Sequence, residues 1–421
     1  MSSNGGRLSR DRLVEYFLEG AVSRPEWKIG MELEKMGRVP GSGRAIPHDG
    51  DGPTVRGVLE FILQRRGGEP VLEAGRIIGI SAPWGTITLE PGGQVEWSSS
   101  PRRCLVEVEA DLHTHLATLR DAGSELGVEW LDVALEPLLA LSEMPWMPKA
   151  RYDIMRDYLR SKGRLAHRMM TQSASIQCAF DYADGTDWAR KFRAAANLSP
   201  VATAMFANSA RMDGADTGYR SYRHPIWRET DDERCLLPAV VFEDGFAMER
   251  WVDWLLDVPL LFRRDGDGLR PPDGRSFRQL LDGPAGADLV LDDWATHCSS
   301  IFTEVRSYTY MEVRSADLQP DDRAFAVPTF WTGTLYDDEA LDAALEAGDG
   351  LDHAGWLEAM DSAARLGLDG KQGDFGIRDL AARSLAAAVR AIQCGIPCAG
   401  DGAAVRHLER LATHLGLDVR V

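Results

Sequence analysis

Hydrophobic residues recur along the chain in two rhythms, and each rhythm predicts an element. Leu13, Val14, Phe17 and Leu18 fall at helical spacing behind Ser9, a capping residue, with Gly20 as the stop. In WKIGMELEKMG the apolar Ile29, Met31 and Leu33 alternate with Gly30, Glu32 and Glu34, a strand period that puts both carboxylates on one face. GVLEFILQRR returns to the helical pattern and ends at Gly67 and Gly68. RIIGI, GTITLE and QVEWSS read as strands, the last two joined through Pro91, Gly92 and Gly93 into a hairpin. A long amphipathic helix follows through Leu105, Val108, Leu112, Leu116 and Leu119, with His113 and His115 expected on its solvated side. WLDVALEP reads as a strand entering a buried sheet, and ASIQCAFDY and YTYMEVR as two more strands. Helical patterns cover 187–208 and 246–256, and two alanine-rich helices close the chain from about 376 to 416. Segments 38–56 and 264–275, rich in Gly, Pro and Asp, read as loops.

Strands and helices are interspersed without an internal repeat, a clean linker or regular βαβ alternation. The expectation is one intertwined α+β domain over residues 1–421. Composition then narrows the partners. With 44% hydrophobic and 27% charged residues among 421, the chain has a core to bury and is not disordered. A net charge of −18 repels phosphate backbones and anionic lipid, so no nucleic-acid partner is expected. No apolar run reaches membrane-spanning length and Glu15 and Glu19 interrupt any signal-peptide core, so neither a membrane nor export is expected. Six cysteines without a CxxC pair suit a reducing cytoplasm, with Cys394 and Cys398 read as free, partly buried thiols.

Candidate chemistry gathers on the strands. Glu32 and Glu34, Glu90 and Glu96 across the PGG turn, Gln177 and Glu312 all sit in apolar alternation. Five carboxylates on one sheet face repel one another and call for cations. Hard oxygen donors without paired Cys or His match Mg²⁺ or Mn²⁺, held together with substrate phosphates. The competing reading for each glutamate is an ordinary solvated strand face. Basic segments lie nearby: Arg151 in RYDIMR; Arg220, Arg223 and Trp227 in GYRSYRHPIW; Arg306 and Arg314 in TEVRSYTYMEVR. Arginine offers carboxylate or phosphate a bidentate fork. With 41 arginines against 6 lysines, a surface ion pair competes with that role at every position. Tyr152 and Trp227 read as pocket walls or as core aromatics. Neither a Walker loop nor GxGxxG occurs, and no Ser/His/Asp or Cys/His signature appears.

The succession WKIGMELEKMG, ITLEPGGQVEWSS, MPKARYDIMRDY, IQCAFDY, KFRAAANLSPVATAMFANS, SYRHPIWRETD and IFTEVRSYTYMEVRSAD resembles the plant and proteobacterial type of glutamate–cysteine ligase. The resemblance runs from about residue 8 to about 340 and fades over 345–421, a less family-like helical part. It implies a glutamine-synthetase-like fold, a curved and mainly antiparallel sheet flanked by helices. It also implies ATP-dependent joining of the γ-carboxylate of glutamate to the amine of cysteine through an acyl phosphate, serving glutathione or another low-molecular-weight thiol.

The same resemblance assigns Glu32, Glu34, Glu90, Glu96 and Glu312 to metal, and Gln177, Lys35 and Arg306 to the nucleotide phosphates. It assigns Arg223, Trp227, Arg151 and Tyr152 to substrate, and Arg314 with Glu312 to the transition state. Water must be kept from an acyl phosphate, and 38–56 and 211–219 are the candidate lids. Three departures stand out. Cys178 and Ala179 follow Gln177 where relatives carry Val-Asn, which opens the choice of amine acceptor. Leu33 replaces a histidine on the opposite face of its strand, and Glu109 and Phe325 replace the two cysteines of the plant regulatory disulfide. A different acceptor and a non-catalytic binding homologue are the alternatives, and a monomer or homodimer is expected.

Overall fold

The alternation in WKIGMELEKMG builds the middle of an eight-stranded antiparallel sheet. The computed structural model describes residues 7–419 apart from 267 and 401. Residues 1–6, 267, 401, 420 and 421, which the single-domain expectation includes, lie outside the described residues. The strands are β1 (Ile29–Lys35), β2 (Glu69–Glu73), β3 (Arg76–Ala82), β4 (Gly85–Leu89), β5 (Val95–Ser99), β6 (Ser175–Phe180), β7 (Val305–Ser307) and β8 (Met311–Asp317). Their spatial order is β7-β8-β6-β1-β5-β4-β3-β2, which makes the fold α+β with an open sheet.

Period-two alternation sorts the two faces. Ile29, Met31 and Leu33 of β1 and Trp97 of β5 are essentially inaccessible and face a layer of helices. Helix Leu105–Leu126 packs there through His115, whose ring stacks on Trp97 at 5.0 Å. Helix Gly185–Met205 is capped by Asp184 and reaches the same face through Trp188 Nε1 to Ser307 Oγ (2.9 Å) and Ser199 to Ser315 (3.0 Å). Helix Ala326–Leu335 ends at Tyr336, which meets Phe180 edge to face at 5.5 Å. The C-terminal helices Ile377–Gln393 and Val405–Leu415 share that hydrophobic core with the sheet, through residues such as Leu385 and Leu408.

At the positions of the plant cysteines, Glu109 accepts hydrogen bonds from Arg406 (2.5 Å) and His407 (2.8 Å), and Phe325 packs edge-on against His407. A half-buried ion pair of Glu109 with Arg406, beside the His407 hydrogen bond, therefore ties Leu105–Leu126 to the last helix.

Several expectations are corrected. His115 is buried, with only His113 exposed, because the broad Trp97 ring draws the imidazole inward; burial holds His115 down to about 3, so it is neutral. WLDVALEP joins no strand of the large sheet: Leu135 makes an isolated bridge to Ser173, and Trp130 pairs with Gly37 in a two-residue ladder. Beyond it, Leu131, Ala134 and Glu136 donate to Met36, Asn208 and Gln172, three separate segments that cannot form one ladder. The loop at 264–275 carries a short hairpin, Arg263–Asp265 with Gly268–Arg270. All six cysteines are free, but Cys394 is exposed and Cys398 buried.

The hairpin β4–β5 pairs Thr88 with Glu96 and Leu89 with Val95. Its turn needs glycine twice. Gly93 adopts a φ of 89°, and a Cβ on Gly92 would stand 2.1 Å from the Thr171 carbonyl oxygen. Gly92→Ala is expected to destabilise the protein by about 1–3 kcal/mol through this backbone clash. Chemical denaturation measures it, and an unchanged midpoint would disprove the close approach.

Candidate active site

On the face away from the helices, the strand register sets acidic side chains in rows. Glu34 of β1 stands directly opposite Glu96 of β5, and Glu32 stands between Ser98 of β5 and Gln177 of β6. Like charges opposed across a ladder destabilise it unless something neutralises them. Glu90, just past β4, completes a group of four glutamates lining a cavity of about 270 Å³.

Each carboxylate has a partner, and the partners differ in kind. Glu34 accepts from the Ser175 amide (2.8 Å), the Ser175 hydroxyl (3.2 Å) and Gln177 Nε2 (3.1 Å). Glu96 accepts from Thr88 Oγ1 (2.7 Å), and Glu32 from Ser98 Oγ (3.2 Å). These are neutral donors and do not cancel charge. Burial, then repulsion from Glu90 and Glu34, pushes Glu96 up to about 8. Burial and Glu90 push Glu34 up to about 7, and burial with Glu96 and Glu312 pushes Glu32 well above the carboxylate range. Glu312 behaves oppositely. Its burial is outweighed by Arg306 Nε (2.5 Å) and Arg314 Nη1 (2.8 Å), which hold it ionised below its ordinary value.

The cations come from four further segments. Arg314 lies in a register shift between Val313 and Ala316 and also donates to Gln177 Oε1; irregularities of this kind re-aim a side chain. Arg223 opens a short helix, Arg223–Arg228. Its guanidinium donates to the Arg314 carbonyl (3.2 Å) and lies 4.0 Å from the buried Asp317. Asp317 is fixed by the hydroxyls of Ser209 (2.6 Å) and Ser221 (3.1 Å). Arg223 and Arg314 both stand 6.0 Å from the Trp227 ring, whose buried Nε1 has no acceptor among the described residues. Arg151 lines the cavity over Phe262, with its buried Nε likewise unpartnered. Tyr152 donates to the Leu89 carbonyl and lies 3.3 Å from Glu90 Oε1.

The structure thus brings Glu32, Glu34, Glu90, Glu96, Gln177, Arg151, Tyr152, Arg223, Trp227, Arg306 and Arg314 to one cavity, with Glu312 behind its arginines. Lys35 is the correction. Odd parity on β1 turns it to the opposite face, where Asp132 (2.5 Å) and Asp321 (2.7 Å) hold its ammonium away from any phosphate in the cavity. Neither 38–56 nor 211–219 supplies a lining residue of this cavity in this conformation. The residue missed is Lys149, in the quoted MPK motif. Its Nζ lies in the cavity, donating to Leu89 O (3.2 Å) and Tyr152 OH (3.1 Å), and burial lowers its proton affinity. Its scarcity was a usable signal, since only six lysines occur in the chain.

Among the described residues no three carboxylate, thiol or imidazole side chains converge closely enough to grip an ion in this conformation. The donor set nevertheless fits a hard divalent cation, because it is all oxygen and its carboxylates are driven to bind protons for want of another positive charge.

Buried glutamates on an open antiparallel sheet, ringed by arginines, make a site suited to charged substrates. The model of glutamate-cysteine ligase family 2 (GCS2) matches residues 28–416, and the chain belongs to that family of enzymes. It is 38% identical over 338 residues to glutamate–cysteine ligase A, chloroplastic, of Oryza sativa subsp. japonica, covering 79% of this chain and 68% of the relative. It is 37% identical over 343 residues to the chloroplastic enzyme of Arabidopsis thaliana, covering 80% and 65%. The crystal structure of glutamate–cysteine ligase (gshA) from Francisella tularensis in complex with AMP superposes with a TM-score of 0.51 at 13% identity, over 92% of this chain and 82% of that one. That likeness concerns the fold alone. No helix among the described residues is long and apolar enough to cross a membrane.

Glutamates whose folded affinity for protons exceeds the ordinary value near 4.5 stabilise the protein below that value and lose the contribution as pH rises through about 7 to 8. In ion-free buffer the melting temperature should fall between about pH 5.5 and 8, and Mg²⁺ should raise it more at about pH 8 than at 5.5. An equal Mg²⁺ effect at both values, read by scanning calorimetry, would remove the carboxylates from the ion site.

Proposed function

We propose that the chain is an ATP-dependent ligase that joins the γ-carboxylate of glutamate to the amine of cysteine and releases ADP and phosphate. The observation that carries this reading is the pairing of crowded, buried glutamates with four arginines in one cavity of a family member. A carboxylate resists attack by an amine because its charge must first be displaced. Transfer of the γ-phosphoryl group of ATP to the glutamate side chain removes that obstacle, and the amine then displaces phosphate.

Glu32, Glu34, Glu90 and Glu96, with Glu312 behind them, would hold Mg²⁺ or Mn²⁺, which would supply positive charge to the phosphoryl oxygens. Arg306 and Arg314 offer fixed forks to the same developing charge, kept in place by Glu312 and Gln177. Arg223, oriented by Asp317, and the Trp227 indole N–H meet the glutamate substrate, while Arg151, Lys149 and Tyr152 line the other wall. No side chain need form a covalent bond to substrate.

Ala179 puts a methyl group opposite Gly30 and Glu312 where the family resemblance implies an amide, which opens the choice of amine acceptor. Six free thiols suit a cytoplasmic setting, and a core that takes in residues from Leu13 to Leu411 supports one domain.

ADP release with glutamate fixed and amino acids and amines varied tests the reading. Dependence on cysteine supports it, dependence on another amine changes the acceptor, and no ADP with any acceptor refutes it. Arg223→Lys should raise the glutamate KM by roughly 10- to 100-fold, whereas Arg314→Gln should lower kcat by roughly 10²- to 10³-fold. Steady-state kinetics decides, and wild-type constants in both variants would empty the assignment.

A further inference from the structure

The basic segment GYRSYRHPIW is divided between two places. Arg223 joins the acidic cavity, but Arg220 lines a second and larger one of about 720 Å³, beyond the ends of β1 and β8. Its volume is that of a small-molecule site.

Charge on its wall is the reverse of the average field of a chain carrying −18. Among the described residues the Arg220 guanidinium meets no carboxylate or other acceptor. Arg323 directs Nη1 to His414, its buried Nε lacks a hydrogen-bond acceptor, and Asp322 comes no closer than 4.0 Å. Arg211 reaches only the Gly214 carbonyl. Two further arginines of the wall, Arg38 and Arg378, are already satisfied by Glu129 and Asp369, so among the described residues the uncompensated charge is that of Arg220 and Arg211, with Arg323 only weakly paired. Leu135, Met205 and Leu366 add apolar surface between them.

The two cavities share a joint. Ser209 lines the larger one, and its hydroxyl donates to Asp317 (2.6 Å) while accepting the Arg223 amide (3.1 Å). Asp317 in turn faces the Arg223 guanidinium. We propose that the larger cavity is a second ligand site for a small organic anion bearing carboxylate or phosphate on an apolar frame, and that its occupancy is felt at Arg223 through Ser209 and Asp317. Arginine forks supply recognition of the anion, and the apolar surface selects an organic ligand over a bare inorganic one. The coupling half rests on Arg223 meeting the glutamate substrate; the binding half does not.

Calorimetric titration of the full chain with naphthyl phosphate and with naphthalene dicarboxylate tests the site without turnover. At least one should bind with a Kd of roughly 10–100 µM, and whichever binds tighter identifies phosphate or carboxylate as the preferred group. The double variant Arg220→Ala/Arg323→Ala should weaken that binding by roughly tenfold or more. Leu366→Trp should do the same by filling the rim while leaving every charge in place. Without probe, both variants should keep wild-type kcat and glutamate KM. With probe, the glutamate KM should shift by roughly threefold or more in the wild type alone. No binding by either probe at millimolar concentration, or equal binding by the variants, overturns the site. Binding that leaves the glutamate KM unmoved overturns the coupling. Absence of ADP release before any probe is added bears on the ligase reading alone.

Discussion

Repulsion among carboxylates on a water-poor sheet face is the constraint around which this molecule is arranged. Glu34 and Glu96 are forced opposite each other by register, and Glu32 and Glu90 flank them. Hydroxyl, amide and backbone donors satisfy their hydrogen bonds but leave their charge, so the face takes up protons unless another cation arrives. Only Glu312 is neutralised by the chain itself, through Arg306 and Arg314. The site is therefore partly compensated: one carboxylate anchors the arginines and the rest stay available. An idle fold has no reason to carry such a face, because unpaired buried charge costs stability.

Rigid support keeps the face open. The opposite side of the same strands is covered by helices, with Trp97, His115, Trp188 and Tyr336 filling the layer between. Because successive side chains alternate, the apolar contacts that fix β1 in the core also aim Glu32 and Glu34 outward. Glycine lets the turn before β5 approach the Thr171 backbone and sets Glu90 and Glu96 over one cavity. Arg223 depends on a longer chain of support, from Ser209 and Ser221 through Asp317. Since Ser209 also borders the arginine-lined cavity, the site is not isolated from the rest of the molecule.

Much of this was legible along the chain. Period-two patterns marked the central strands, and helical patterns marked Arg10–Leu18, Leu105–Leu126 and Gly185–Met205. The errors were of one kind: a residue's local pattern was right but its neighbour was unknown. His115 sits at a helix position that reads as polar until Trp97 lies beneath it, and Val133 and Leu135 alternate like a strand without a partner ladder. Lys35 has the charge for a phosphate contact but is claimed by Asp132 and Asp321, 97 and 286 residues away in sequence.

What the sequence determined by itself was alternation: which residues share a face, where turns occur, and that four separate segments carry acid or amide in an apolar setting. Alternation is a property of neighbours two apart, so it needs no knowledge of the fold. Tertiary structure decided the rest. It chose which strands lie side by side, set Glu34 against Glu96, gave Glu312 two arginines, and sent Arg220 and Arg223, three residues apart, to different cavities. Those outcomes depend on contacts between segments remote in sequence, and charge acts through distance in space rather than position along the chain.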